Sequence, residues 1–419
     1  LLRKPPRLSR VHEPLRRTEE TASDAARRLV LQLDGGCLPI QGPPGTGKTF
    51  TGAEMALDLV EHGRKVGIVA QSHAVIGNFL DEIWRRADAR GATSLHMAQK
   101  ADEDEGARDP RVARIASRDV GASLASGTQV VGGTAWLFAR PDLENSVDVL
   151  FIDEAGQFSL ANALAVAPSA KSIVLLGDPN QLAQPSQGAH PPGSDESVLQ
   201  HMLGSDMTIA PDAGLFLDRT FRLRPEICRF VSDAFYESRL EPAEAALARS
   251  FADGGNGLRY VAVQHSGNKI ESIEEVERVR TVIEGLIDSE WTDETGTRRL
   301  TLDDLLVVAP YNAQVELLRE RLPHGSRVGT VDKFQGQQAA VTIYSMASST
   351  SEDAPRGMDF LYSRNRLNVA VSRAQGLAIV VASPALFRVR CKTPNQMRLA
   401  NALCLFQEQA QLKSLEPTS

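Results

Sequence analysis

Six short apolar runs set the fold before any other feature does: "VGIVA" (66–70), "VDVLFID" (147–153), "SIVLLGD" (172–178), "DLLVVAP" (304–310), "VTIYSM" (341–346) and "LAIVVAS" (377–383). Each is too short for a helix, rich in β-branched or long aliphatic residues, and followed by a stretch with helical spacing. Near-continuous apolar strands belong to parallel sheets covered on both faces, so the pattern predicts an α/β fold. It recurs in both halves of 419 residues, a length beyond one ordinary core, and therefore predicts two such domains. The expected boundary lies near Ala210–Leu217, giving 1–216 and 217–419. It follows the Gly/Pro/Ser-rich segment "QPSQGAHPPGSDES" (184–197). A short helical insertion is expected near 85–127, where the charged stretch "KADEDEGARDPRVARIASR" (100–118) reads as a solvated helix or a loop.

Between a strand end and a helix-spaced pattern stands "IQGPPGTGKTF" (40–50), which fits G-x-x-x-x-G-K-[ST] in the strand-turn-helix context that gives the pattern meaning. The turn of Gly42, Pro43, Pro44, Gly45, Thr46 and Gly47 would hold the nucleotide, its glycines letting successive backbone N–H groups curl around phosphate oxygens. Lys48 would reach the outer phosphates, and the Thr49 hydroxyl would ligate Mg2+. Such a site needs a second acidic ligand. "VLFIDEAGQ" supplies it in Asp153 at the end of an apolar strand, with Glu154 beside it as the base that orients and deprotonates water. Hydrolysis also calls for an arginine to meet the charge spread over the phosphoryl oxygens. Arg222 in "LDRTFRLRP" and Arg373 in "LNVAVSRAQ" are the candidates.

Composition narrows the rest. With 42% hydrophobic residues and no apolar run long enough to cross a bilayer, membrane insertion is not expected, and the location expected is intracellular. Cys37, Cys228, Cys391 and Cys404 lie far apart with no paired metal-ligand spacing, which favours reduced thiols over a structural zinc. The net charge of −7 offers no bulk attraction for polyanions, so nucleic-acid contact requires a local basic groove.

In their order along the chain, "GPPGTGKT", "IDEAGQ", "GDPNQL" (177–182), "FRLRPEI" (221–227), "VVAPYNAQV" (307–315), "VGTVDKFQGQQ" (328–338) and "LNVAVSRAQ" (367–375) resemble the motifs of superfamily 1 helicases. They are most similar to the branch containing the nonsense-mediated-decay helicase and the DNA replication helicase-nuclease. The resemblance implies two RecA-like parallel-sheet domains, with ATP and Mg2+ in the cleft between them and single-stranded DNA or RNA across their tops. It implies that Gln181 senses the γ-phosphate and that Arg222 and Arg373 act as arginine fingers. Asp178 would sit near the magnesium shell or simply open a turn. Ser72 and His73 in "VAQSHAVIGNFL" (69–80) and Thr134 in "VGGTAW" (131–136) would contact the strand in the first domain, with His73 open to the plainer role of a satisfied loop histidine. Tyr311, Asn312, Thr330, Asp332, Lys333 and Gln335 line up with strand-contact and interface motifs in the second, and Thr330 could equally serve a local partner. Phe221 would either stack on adenine or pack into the core, Gly336 would allow close approach to the nucleotide, and Gln338 would meet its ribose.

The sequence also departs from the family. "TEETASDAARRLVLQLDGG" (18–36) lacks a glutamine at the distance where relatives read the adenine edge, and Gln338 stands where a glutamate is common. Both changes imply looser nucleotide choice with the phosphate, magnesium and arginine positions filled. The stretch before Gly42 shows no accessory barrel, and a fused or associated nuclease domain beyond this chain is an expected partner. Two functions follow: an ATP-driven 5′-to-3′ helicase or translocase, or a nucleotide-gated clamp that hydrolyses ATP without directional movement.

Overall fold

The computed structural model describes residues 1–9, 14–92, 94–102, 105–182, 196–252, 254–334 and 336–415. Its chain forms two compact units, one of Leu1–Pro179 with Ala183–Asp218 and one of Asn180–Leu182 with Arg219–Ser419. The segment 184–197, where the sequence suggests a loop, lies mostly outside the described residues, as does Gln335.

The first unit holds an eight-stranded sheet. Its strands are β1 (Cys37–Gln41), β2 (Val66–Val69), β3 (Met97–Gln99), β4 (Val112–Arg114), β5 (Val130–Gly133), β6 (Val147–Ile152), β7 (Ala170–Gly177) and β8 (Leu215–Phe216). The order is β4-β3-β5-β2-β6-β7-β1-β8, and every pairing is parallel. Residues of β2 and β6 are buried throughout apart from Asp148, as expected of strands covered on both faces. Their side chains join a core with the helices Lys48–Glu61 and His73–Arg90, including Ile40, Met55, Phe79, Ile83 and Phe151. Two acids on the first of these helices, Glu54 and Asp58, are buried because Arg86 and Arg90 pair with them, Arg86 Nε lying 2.9 Å from Glu54 and Arg90 Nη1 2.9 Å from Asp58.

One expectation is corrected. The stretch 100–118, read as a solvated helix or loop, contributes β4, a parallel edge strand paired with β3. The reason is local: Val112 is the one buried residue of three, while Ala113 and Arg114 are exposed. An edge strand tolerates such charge on its outer face, so the stretch carries no apolar run to announce it.

The second unit opens with short strands β9 (Arg219–Thr220), β10 (Glu241–Pro242) and β11 (Ser250–Phe251). Then follow β12 (Gly257–Ala262), β13 (Glu290–Asp293), β14 (Gly296–Arg299), β15 (Leu305–Ala309), β16 (Arg327–Thr330), β17 (Ala339–Ser345) and β18 (Ala374–Ala382). A five-stranded sheet runs β12-β18-β17-β15-β16, again parallel throughout. β11, β13 and β14 form a small antiparallel sheet. The Trp291 ring on β13 lies tilted at 52° to that of Phe251, centroids 4.9 Å apart, and is fully buried in this unit's own core with Val307, Ile343 and Ile379. The tripeptide 180–182 belongs to this unit because its backbone is held there. Asn180 Nδ2 donates to the Phe235 carbonyl at 3.0 Å, Asn368 Nδ2 donates to the Asn180 carbonyl at 2.8 Å, and Asn365 Nδ2 donates to the Gln181 carbonyl. The four cysteines are free thiols. No helix among the described residues is long and apolar enough to cross a membrane.

Candidate nucleotide and strand sites

In the first unit, β1, β6 and β7 are neighbours at the carboxyl edge of the sheet, where open α/β sheets place their ligands. The turn after β1 is shaped by two glycines. Gly47 has φ +77°, a conformation that costs other residues about 1 kcal/mol or more. At Gly42 a Cβ would fall 2.2 Å from Lys48 Cγ, so only glycine leaves room for the lysine stem. Lys48 Nζ donates to the Gly42 carbonyl at 2.6 Å, and Thr46 Oγ1 donates to the Pro43 carbonyl at 2.8 Å, which keeps the ammonium over the turn. Lys48 and Thr49 open the helix Lys48–Glu61, and no acid occupies its first turn to compete for the amides.

Asp153 follows β6 and is buried. Burial first, and the charge of Glu154 second, push its carboxyl up to about 7, against the pull of the Glu154 amide and the Lys48 ammonium. A dication beside this acid would relieve both costs. Among the described residues no three His, Cys, Asp or Glu side chains gather as a self-sufficient metal cage. A hydroxyl and a carboxylate, Thr49 and Asp153, are oxygen donors of the kind a hard dication takes. Glu154 is held at φ +51°, a strained position for a residue with a side chain. Its amide donates to Asp153 Oδ1 at 2.9 Å, and the turn after it closes through Gln157 N–H to the Glu154 carbonyl at 2.8 Å. The turn then packs on the end of β7: a Cβ at Gly156 would lie 2.4 Å from the Asp178 carbonyl oxygen. Gly156→Ala should thus force backbone apart and lower the stability of the first unit by about 1–3 kcal/mol, read as a lowered melting temperature. An unchanged melting curve would show that the contact is loose.

Ser72 caps the helix His73–Arg90, its Oγ accepting from Val75 N–H at 3.3 Å. His73 Nδ1 is buried with no hydrogen-bond partner among the described residues, so the satisfied-histidine alternative does not hold for that atom. Thr134 is half-buried just after β5, and two residues on Trp136 stands 89% exposed. An apolar residue in a helical turn looks like core, so the sequence gives no sign of this exposure.

In the second unit Arg222 and Arg373 come together. Arg222 Nε donates to Gln338 Oε1 at 2.9 Å and its Nη1 to the Ser372 carbonyl at 3.2 Å. Arg373 is buried, its Nη1 donating to the Gln337 carbonyl and its Nη2 to Gln181 Oε1, both at 3.2 Å. Burial first, then the charges of Arg373 and Arg249, bring the Arg222 pKa down to about 9. It remains a cation at neutral pH, one crowded by a like charge, which favours an incoming anion. Arg249, which the sequence did not single out, shapes this turn: its Nη1 donates to the carbonyls of Phe221 and Arg222 at 2.8 and 2.9 Å, and its Nε pairs with Glu294 at 3.0 Å. Phe221 is 54% exposed, which removes the core alternative. Gln338 is engaged with Arg222, and exposed Gly336 has φ +79°.

Tyr311, Asn312 and Thr330 all line one cavity of about 490 Å³, together with Asp332. They meet because β15 and β16 are paired neighbours whose carboxyl ends carry them. Lys333, in the same motif, is not among the lining residues.

Comparison with known proteins fits this layout. Two profiles described as AAA domain match in succession, one over residues 21–191 and one over 194–385. "DNA polymerase alpha-associated DNA helicase A" of Schizosaccharomyces pombe is 25% identical, the match covering 80% of this chain and 59% of that protein. "DNA replication ATP-dependent helicase/nuclease DNA2" of Saccharomyces cerevisiae is also 25% identical, over 82% of this chain and 24% of that protein. The chain is thus similar, over most of its length, to proteins named as helicases. It spans 59%, 29% and 24% of the length of three curated relatives. A solved structure described as "Complex structure of Arterivirus nonstructural protein 10 (helicase) with DNA" is similar with a TM-score of 0.46 at 16% identity, over 83% of this chain and 60% of that one.

Proposed function

We propose that the chain is an ATP-driven motor that steps along single-stranded DNA or RNA, 5′ to 3′, and separates duplexes. The observation that carries this reading is the phosphate turn 42–49 at the same sheet edge as Asp153 and Glu154. Relatives named ATP-dependent helicases support ATP as the nucleotide. Magnesium, when bound by Thr49 and Asp153, would neutralise phosphate charge. Lys48 binds the outer phosphates and Glu154 holds the attacking water and takes its proton. Arg222 and Arg373 meet the charge that develops on the transferred phosphoryl group, and Gln181, bonded to Arg373, links that event to the strand. Ser72, His73, Thr134, Tyr311, Asn312 and Thr330 follow the strand.

ATP turnover is expected to rise when a single strand is added, in a panel of DNA and RNA oligonucleotides. Lys48→Ala should lower that turnover by about 10²–10³-fold. No stimulation by any strand would remove the motor reading. Stimulated turnover without directional movement in a translocation assay would leave a nucleotide-gated clamp instead.

A further inference from the structure

The cavity beside β15 and β16 contains more than the motif residues. Its wall is completed by Phe360 and two arginines, Arg356 and Arg366, from the segment before the last strand. Both guanidiniums sit over the Phe360 ring, at 4.7 and 4.5 Å from its centroid, and the Tyr311 ring lies 5.4 Å from it at 35°. Arg366 pairs with Asp332 at 3.2 Å, while Arg356 is exposed and makes no ion pair among the described residues. The walls are braced from behind. Ser348 Oγ donates to the Lys269 carbonyl at 2.6 Å, and Gln314 side-chain bonds to Ser272 N–H and Ser345 Oγ, both 2.8 Å, tie the neighbouring loops together.

Two cations gathered on one half-buried ring, with one carboxylate, give a small recess of net positive charge that has an aromatic face. That combination suits a planar base and a single phosphodiester. A polyphosphate would be opposed by Asp332, which in an RNA strand can instead accept from a ribose 2′-hydroxyl. A volume of about 490 Å³ is within the range of small-ligand pockets. We infer that this cavity is a one-nucleotide pocket: the exposed Arg356 moves off the Phe360 ring to a phosphate of the bound strand, which Arg366 shares, and the base stacks on the ring face that Arg356 vacates. The inference rests on the strand-binding reading above and assigns it residues outside the motifs.

The test is anisotropy of a labelled single strand with the full chain, using whichever of DNA or RNA stimulates turnover, against the same strand carrying abasic residues. The unaltered protein should bind the abasic strand about tenfold more weakly, the worth of one stacked base. Phe360→Ala should lose about the same factor on the base-bearing strand and no longer discriminate between the two. Arg356→Gln should weaken both strands alike and reduce the salt dependence by about one phosphate contact. Full affinity with retained discrimination in Phe360→Ala overturns the pocket and leaves the motor reading standing. Failure of the unaltered protein to bind any strand overturns both. Should Phe360→Ala melt early, Phe360→Leu, which keeps apolar bulk without a π face, and the exposed Arg356→Gln decide the matter.

Discussion

Arg222→Ala should lower strand-stimulated ATP turnover by about 10³-fold or more, with ATP affinity changed far less. The expectation comes from timing. In the ground state Arg222 is engaged with neutral acceptors, Gln338 Oε1 and the Ser372 carbonyl, so releasing it sacrifices no ion pair among those two bonds. Its positive charge, crowded by Arg373 and lowered in pKa by burial, is better matched to the extra negative charge of a phosphoryl transition state than to solvent. Arg222→Lys should recover little, since an ammonium cannot reproduce the planar fork that Gln338 and Ser372 now orient. Arg249→Ala should mimic part of the loss by releasing the carbonyls of Phe221 and Arg222, and it serves as the check on positioning. Single-turnover rates at saturating ATP, beside affinity for a fluorescent ATP analogue, separate the two effects. Turnover within tenfold of the unaltered protein in Arg222→Ala would remove it from the reaction.

The second large effect is expected at Glu154. Glu154→Gln keeps size and removes the base, so turnover should drop by about 10²–10⁴-fold while ATP stays bound. The strained backbone at φ +51° aims this side chain, and the bond from its amide to Asp153 Oδ1 fixes the pair as one unit. Removing the charge of Glu154 also removes one of the two influences that raise the Asp153 pKa, so Asp153 should titrate lower in this variant. The result to look for is bound, unhydrolysed ATP after filtration. Release of labelled phosphate at the ordinary rate would exclude Glu154 as the base.

The six apolar runs announced buried parallel strands because each carries its burial in its own composition, and β2, β6, β7, β15, β17 and β18 lie where those runs are. The turns that end β1 and β6 were legible for a related reason: a glycine that must leave room for a lysine, and an acid at a strand end, are local requirements. What stayed hidden is non-local. β4 has one buried side chain and borrows its strand character from β3. Exposure of Phe221 depends on the turn gripped by Arg249, and the Gln338–Arg222 bond joins residues 116 positions apart. Phe360, Arg356 and Arg366 fall outside the motif pattern, and their approach to Tyr311 is set by how the segment returns to the sheet.

The excursion of 180–182 limits how the molecule can be dissected. A fragment begun at Arg219 would leave behind the acceptors that Asn365, Asn368 and Arg373 use on Asn180 and Gln181, and would strip the Phe235 carbonyl of its Asn180 donor. Expressed by itself, such a half would lack these partners at the very helix that ends before Arg373, and its behaviour would misreport the whole chain.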